Sequence, residues 1–351
     1  MKNNMKKLIF CAIAAAMALA SCNKNDNLQN GPTSANTAAG PKVSISFVGD
    51  GSTRAFFDAS AAAEPWEKQI NTVTVFAFSA SNGSLTLRRE LLSSEVAAGS
   101  ATIVLPFGSA NVHQNFYVVA NYAVPVNVVT ETGLLAVTDD SFPSYNGTVS
   151  DVMTQARRSG GFTMSGSAND VQLRTDGAPT DVTVPLKRTV AKVAIRISVD
   201  PDFLVKYPGR KIKVLDVGIS RFAGSAPVFD SYVTTEVPMS NSMLQVPATT
   251  DDKVWDNLFY MFPSGARTSS TYLQLTIRAL FDADGNFATT ADQREYSYTV
   301  DLIAGGNGTL LRNGYYRVDC SLKGSIDDFV NVSVYAADWE STITQSNDLG
   351  L

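Results

Sequence analysis

Along most of this chain apolar residues recur at every second position, in short runs interrupted by Gly, Pro, Asn and Asp. That rhythm belongs to β-strands with one buried face. Val43, Ile45 and Phe47 alternate with Ser44 and Ser46, and a flexible polar stretch, Gly49 to Arg54, follows. Val73, Val75 and Ala77 alternate with Thr74, Phe76 and Phe78, and Asn82-Gly83 turns the chain toward Leu85 and Leu87. Ile103 to Phe107, Phe116 to Ala120, Phe162 to Met164 and Val182 to Leu186 continue the series. A second series starts at Leu186 and passes through Val190, Val193, Ile195 and Ile197, then Ile212, Val214, Val217 and Ile219. It ends with Leu273, Leu275 and Ile277, then Tyr296, Tyr298 and Val300, then Tyr316, Val318 and Cys320. The clearest helical spacing is short, Val149, Val152, Met153 and Ala156, with Thr148 and Asp151 placed as a capping pair. The expected fold is therefore all-β, two β-sandwich domains in tandem, residues 55–185 and 186–351, with a boundary near Thr183 to Lys187.

The N-terminus reads as an export signal over residues 1–21. Lys2, Lys6 and Lys7 supply its positive end, and the apolar run Leu8 to Ala18 is too short to span a bilayer. Leu19-Ala20-Ser21-Cys22 places small residues before a cysteine, as a lipoprotein signal peptidase requires, so Cys22 is expected to carry lipid. An ordinary secretory signal with an incidental cysteine is the alternative. Residues 23–40 are mostly Asn, Ser, Thr, Gly and Ala and bury little, which fits a tether.

Of three cysteines, Cys11 leaves with the signal and Cys22 is taken up by lipid, so Cys320 alone remains in the body and no disulfide framework forms. The 33 acidic residues exceed the 28 basic ones and no basic run lies outside the signal, which argues against a nucleic-acid partner.

Catalytic chemistry finds few candidates. His113 is the only histidine, which removes the usual general base and the usual zinc ligand. The paired acids Asp139-Asp140, Asp251-Asp252 and Asp327-Asp328 are available for glycosidase chemistry, but adjacent acids on a strand face opposite ways and in loops are usually solvated. Asp282, Asp284 and Asn286 open like a calcium loop, yet Phe287 stands where glycine is required and Gln293 where glutamate closes the site. A hairpin loop is the preferred reading, with no metal. Gly305-Gly306-Asn307-Gly308 lacks the lysine and helix of a phosphate loop. No enzymatic activity, catalytic residue or cofactor is expected.

Several short segments, taken in order, carry a resemblance. They are the cysteine motif at Cys22, an early strand followed by Thr53-Arg54-Ala55-Phe56, the Val73 to Phe78 strand and Tyr117-Val118-Val119-Ala120-Asn121. Leu186-Lys187-Arg188 then leads into Val190-Ala191-Lys192-Val193, followed by Arg312-Asn313-Gly314-Tyr315-Tyr316 and Ala337-Asp338-Trp339. In these the chain resembles the fimbrillins of Bacteroidales-type pili, precursors of type V pilus subunits, over nearly its whole length. The resemblance implies transthyretin-like sandwiches and a precursor carried as a lipoprotein to the outer membrane. It also implies a cut after an arginine by a trypsin-like protease, between Arg54 and Ala55 in this sequence. The cut would free residues 22–54, with the strand of Val43, Ile45 and Phe47, and the C-terminal strand of a neighbouring subunit would fill the groove. Implied partners are other copies of the chain and related fimbrial subunits, in a fimbria that serves adhesion at the cell surface. Anchor and tip subunits belong to the same family. Arg157-Arg158 is a rival cleavage site, but only a cut at Arg54 releases one whole strand.

The expected donor lies in the last residues, where Trp339, Ser341 and Ile343 share one parity and Trp339 is the natural anchor. The alternative is that this segment is the closing strand of the second domain; both readings hold together with Val330 to Val334 internal and the tail beyond Trp339 donated. A monomeric surface glycan-binding lipoprotein is the alternative from another functional class, and a carboxylate-dependent hydrolase is a third.

Overall fold

The computed structural model describes residues 40–48, 65–109, 113–140, 161–229, 242–245, 248–251, 253–268, 270–303, 308–323, 331–338 and 345–349. Nine strands precede residue 190: β1 (Lys42–Val48), β2 (Val73–Ser79), β3 (Leu85–Glu90), β4 (Ser100–Val104), β5 (His113–Ala120), β6 (Thr138–Asp139), β7 (Met164–Gln172), β8 (Thr180–Pro185) and β9 (Lys187–Arg188). Eleven follow: β10 (Ala191–Val199), β11 (Lys211–Ser220), β12 (Ala226–Pro227), β13 (Ser242–Gln245), β14 (Ala248–Asp251), β15 (Val254–Met261), β16 (Leu273–Asp282), β17 (Gln293–Leu302), β18 (Gly314–Leu322), β19 (Asn331–Asp338) and β20 (Gln345–Leu349). Among the described residues three short α-helices join them, α1 (Ser93–Ala98), α2 (Glu131–Leu135) and α3 (Pro201–Lys206). The fold is all-β, as the period-two pattern requires. The helical pattern at residues 149–156 lies outside the described residues.

Eight of the first nine strands form a three-stranded sheet in the order β4-β1-β8 and a five-stranded sheet in the order β3-β2-β5-β7-β9. The later strands form a six-stranded sheet, β14-β15-β10-β18-β19-β20, and a four-stranded sheet, β13-β11-β16-β17. The short pair β6-β12 joins a loop of the first series to one of the second.

One continuous apolar cluster contains Val43, Ile45, Val75 and Val118 as well as Val193, Ile195, Ile277 and Val318. Strands β2 and β5 are buried on both faces. Their second face carries Phe76, Phe78, Tyr117 and Val119 under Val124, Val128, Leu134, Val137 and Val228. The run Phe116 to Ala120 is accordingly apolar at every position, the mark of a central strand covered on both sides.

The crossover from β8 to β9 carries the chain from one sheet to the other, and it needs glycine opposite. A Cβ on Gly166 would stand 2.1 Å from the Pro185 carbonyl oxygen. Asn121, at φ 58°, closes the end of β5. Its side chain accepts from the Asn71 N–H at 2.8 Å and donates to the carbonyls of Gln69 at 2.7 Å and Phe162 at 2.8 Å.

Candidate functional site

The centre of the three-stranded sheet is β1. It pairs antiparallel with β4, Val43 opposite Ile103 and Ile45 opposite Ala101. On its other side it runs parallel to β8, Ile45 opposite Val182, Phe47 opposite Val184 and Val48 opposite Pro185. Val43 and Ile45 are 0% exposed and Phe47 is 4% exposed, while Ser44 and Ser46 lie on the other, half-buried face. This is the alternation read from the sequence, now with a reason: the apolar side chains enter the cluster shared by Ile103, Val182 and Val184.

The ends of β1 are fastened as well. The Phe47 N–H donates to the Gly99 carbonyl at 3.0 Å, the Leu105 N–H donates to the Pro41 carbonyl at 3.0 Å, and the Ser46 and Thr183 hydroxyls meet at 3.1 Å. At Gly40 the backbone passes so close to Leu105 that a Cβ would sit 1.8 Å from its carbonyl oxygen. A strand so placed is hydrogen-bonded along both edges and supplies three buried side chains. Its departure would leave two parallel rows of backbone groups facing each other across an apolar trough, a site shaped for another extended segment.

The chain resumes beyond β1 at a buried junction. Pro65–Lys68 forms a single 3₁₀ turn. The Trp66 ring lies 5.9 Å from those of Phe162 and Tyr260. Glu67, fully buried, accepts from the Lys192 ammonium at 2.8 Å and from the Tyr260 hydroxyl at 2.6 Å. Its backbone carbonyl accepts from Arg188 Nε at 2.8 Å. This network escaped the sequence reading, because a lone Glu and a lone Lys 125 residues apart carry no periodic signal.

At the other end of the chain, β19 pairs with β18 over eight residues, Gly314 opposite Asp338 through Ser321 opposite Asn331. Strand β20 pairs with the far side of β19, Val332 opposite Leu349 through Ala336 opposite Gln345. The segment containing Val332 and Val334 is thus internal to the six-stranded sheet, and the last strand is its edge. Trp339, Ser341 and Ile343 lie outside the described residues, as do Cys22, Arg54, Ala55, Arg157 and Arg158.

The residues weighed for catalysis are scattered. His113 is half exposed and its Nδ1 lies 2.7 Å from Asp170. Asp139 and Asp140 face opposite ways at the end of β6: Asp140 is exposed, and Asp139 is fully buried and accepts from the Thr189 hydroxyl at 2.9 Å. Asp252, Asp327 and Asp328 fall outside the described residues. Asp282 ends β16 and Asp284 sits in the hairpin loop that leads to β17. With Asp292, which the sequence reading did not single out, they bring carboxylate oxygens within 4.8 Å of one another. The Asn286 N–H donates to both Asp282 and Asp284 at 2.8 Å, and Gln293 donates to Asp282 at 3.0 Å. Gly308 has φ 70°, and residues 304–307 are outside the description. Cys320 is buried in β18 and burial pushes its thiol well above the usual range. Among the described residues no helix is long and apolar enough to cross a membrane.

Comparison with known proteins agrees with this architecture. No curated protein matches the sequence. Residues 42–190 match the family model described as the major fimbrial subunit protein, FimA. A fimbrilin of Porphyromonas gingivalis shares 12% identity with a TM-score of 0.55, over 86% of this chain and 98% of its own. The tip fimbrial protein Mfa3 of the same species, solved with a C-terminal truncation, shares 14% identity with a TM-score of 0.53, over 85% of this chain and 100% of its own. A fimbrial assembly protein of Parabacteroides distasonis shares 14% identity with a TM-score of 0.50, over 87% of this chain and 98% of its own. The matched segment starts at the first residue of β1 and ends just after β9, so it contains β1 and both strands that pair with it. Residues 42–190 are thus similar to the major fimbrial subunit family, and the chain has the fold of the Bacteroidales fimbrial proteins compared above.

Proposed function

We propose that the protein is a structural subunit of a surface fimbria that assembles by exchanging strands. It is exported as a lipoprotein through Cys22, carried to the outer membrane, cut between Arg54 and Ala55 by a trypsin-like protease, and polymerised in the groove that β1 vacates. Two tandem sandwiches form its body, and the fimbria serves adhesion. The observation that carries this reading is the central place of β1. It is the one strand of its sheet with partners on both sides, and it belongs to the segment upstream of Arg54.

Removing an edge strand would leave one unpaired edge, whereas removing β1 leaves two and an apolar trough between them. Refilling the trough with another strand gains about 1 kcal/mol net per hydrogen bond and about 2 kcal/mol per buried aliphatic side chain, before the cost of ordering the incoming segment. The edge position of β20 supports the C-terminal segment as donor, since an edge strand can leave its sheet without opening another pair.

The test is the N-terminal residue of the surface protein together with an Arg54→Ala variant. Ala55 is expected at the mature N-terminus, and the variant should persist as a longer, lipid-bound chain that forms no fibres. Normal fibres from the variant would exclude this processing.

A further inference from the structure

Loss of β1 would leave β4 with no strand partner among the described residues, because β4 pairs with β1 alone. A competing arrangement is close at hand. Strand β4 runs antiparallel to β1 and β8 runs parallel to it, so β4 and β8 are antiparallel to each other. They stand two strand spacings apart, roughly 10 Å. Closing that gap would pair the two walls directly and hide the apolar trough, to the exclusion of any incoming segment. A groove that stays receptive therefore needs something that holds β4 from its outer side.

Arg89 is placed to do so. It lies in β3, the edge of the five-stranded sheet, opposite Val75, and so shares the face on which Val75 enters the main apolar cluster. From there its guanidinium crosses to the other sheet and donates through Nη1 to the Thr102 carbonyl at 3.0 Å. Through Nη2 it donates to Glu95 Oε1 at 2.7 Å, and Glu95 Oε2 accepts from the Leu92 N–H at 2.9 Å. Glu95 belongs to α1, whose C-cap Gly99, at φ 66°, leads straight into β4. The Thr102 carbonyl is not one that β1 uses. Phe47 bonds to Gly99 and Leu105 to Pro41, so by the alternation of an antiparallel pair the backbones of Ala101 and Ile103 face β1 and that of Thr102 faces the free edge. None of the Arg89 and Glu95 bonds involves an atom of β1, and all can persist when it leaves.

We propose that Arg89, oriented by Glu95, is a positioning residue for strand exchange, a strut between the two sheets that holds β4 at the width of one missing strand. The proposal rests on the strand-exchange reading above. A guanidinium suits the task because its planar fork reaches a carbonyl and a carboxylate at once in a fixed geometry. Its neighbour Arg88 points to the opposite face of β3, the side of Phe76, where it donates to the carbonyls of Pro125 at 2.7 Å and Val124 at 2.6 Å. In the intact chain β1 itself fixes β4, so the strut acts on exchange only once β1 has gone.

The experiment cuts the folded chain after Arg54, separates the released segment and titrates the remainder with a fluorescent peptide of residues 40–48, the stretch that fills the groove in the structure. Arg89→Met is expected to weaken binding about tenfold, as it would if the receptive form fell to roughly a tenth of the population. Glu95→Gln, which removes the charge that orients the guanidinium, should weaken it about threefold. Arg88→Met should bind with wild-type affinity. In the uncut chain Arg89→Met should lower the thermal midpoint no more than Arg88→Met does, a split that a merely stabilising side chain would not produce. Wild-type affinity in Arg89→Met, or in Glu95→Gln should Arg89→Met fail to fold, would overturn the strut and leave the groove reading standing. So would an equal loss in Arg88→Met. If the emptied wild-type chain binds neither this peptide nor one of residues 337–351, strand exchange and strut fall together.

Discussion

Glu67 and Lys192 show most sharply how a single residue can depend on a distant one. A carboxylate and an ammonium, both removed from water, are tolerable only because each faces the other at 2.8 Å and the Tyr260 hydroxyl takes up part of the carboxylate's demand. Replacing one partner strands the other charge in an apolar site. Lys192→Met is therefore expected to cost about 3 to 5 kcal/mol of stability, and Glu67→Gln a comparable amount. The double variant should lose clearly less than the sum, because neither charge then remains. Denaturant unfolding followed by tryptophan fluorescence measures this, Trp66 being packed at the junction itself. Additive losses would mean that the two side chains do not act as a pair. At this scale the sequence was least informative. Lys187-Arg188 and Arg312-Asn313 stood out as segments of a family pattern, but nothing in their spacing announced that the Arg188 and Arg312 guanidinia brace the crossover between sheets. The partner of buried Asp139 was hidden for the same reason: Thr189 lies 50 residues away.

Elements were legible where an apolar alternation or run is unbroken, and opaque where polar residues interrupt it or it is too short for a period to repeat. The alternation of β1 was plain, and its energetic content can be tested. Ile45→Ala in the untrimmed chain removes a fully buried side chain opposite Ala101 and Val182, so a loss of about 2 to 5 kcal/mol is expected. Ser44→Ala, on the half-buried face, should change stability by no more than about 0.5 kcal/mol. Comparable losses from the two variants would contradict the orientation of the strand. By contrast β15 went unread, because Asp256 and Asn257 interrupt its apolar run. The structure explains Asp256 by a two-pronged pairing with Arg196, both bonds 2.9 Å, in the neighbouring strand β10. Helices α1, α2 and α3 are five or six residues long, shorter than two turns, and leave no helical periodicity to detect. Strand β20, Gln345 to Leu349, has only one apolar residue and owes its place to pairing with β19.

For the whole molecule the two ends of the chain pose complementary problems. Near the N-terminus lies a strand that its sheet holds from both sides, and at the C-terminus lies a strand held from one side only. A body built this way is complete while β1 stays, and after β1 leaves it lacks a strand at one place while carrying a detachable one at another. Neither defect can be mended within one copy if the tail serves as the closing edge of its own second sheet. On the strand-exchange proposal each would mend the other between copies, and the process would repeat without closing on itself. Deleting residues 340–351 separates these roles. The deletion removes β20 but leaves β19 paired with β18, so the shortened chain should fold and keep its groove. Trimmed after Arg54, it should accept a donor from a full-length copy yet offer none, so that mixing it into an assembling population caps fibres and shortens them in proportion to its share. Fibre lengths measured by electron microscopy across a series of mixing ratios decide the matter: lengths independent of the ratio would place the donor outside the tail, and with it the source of polymerisation.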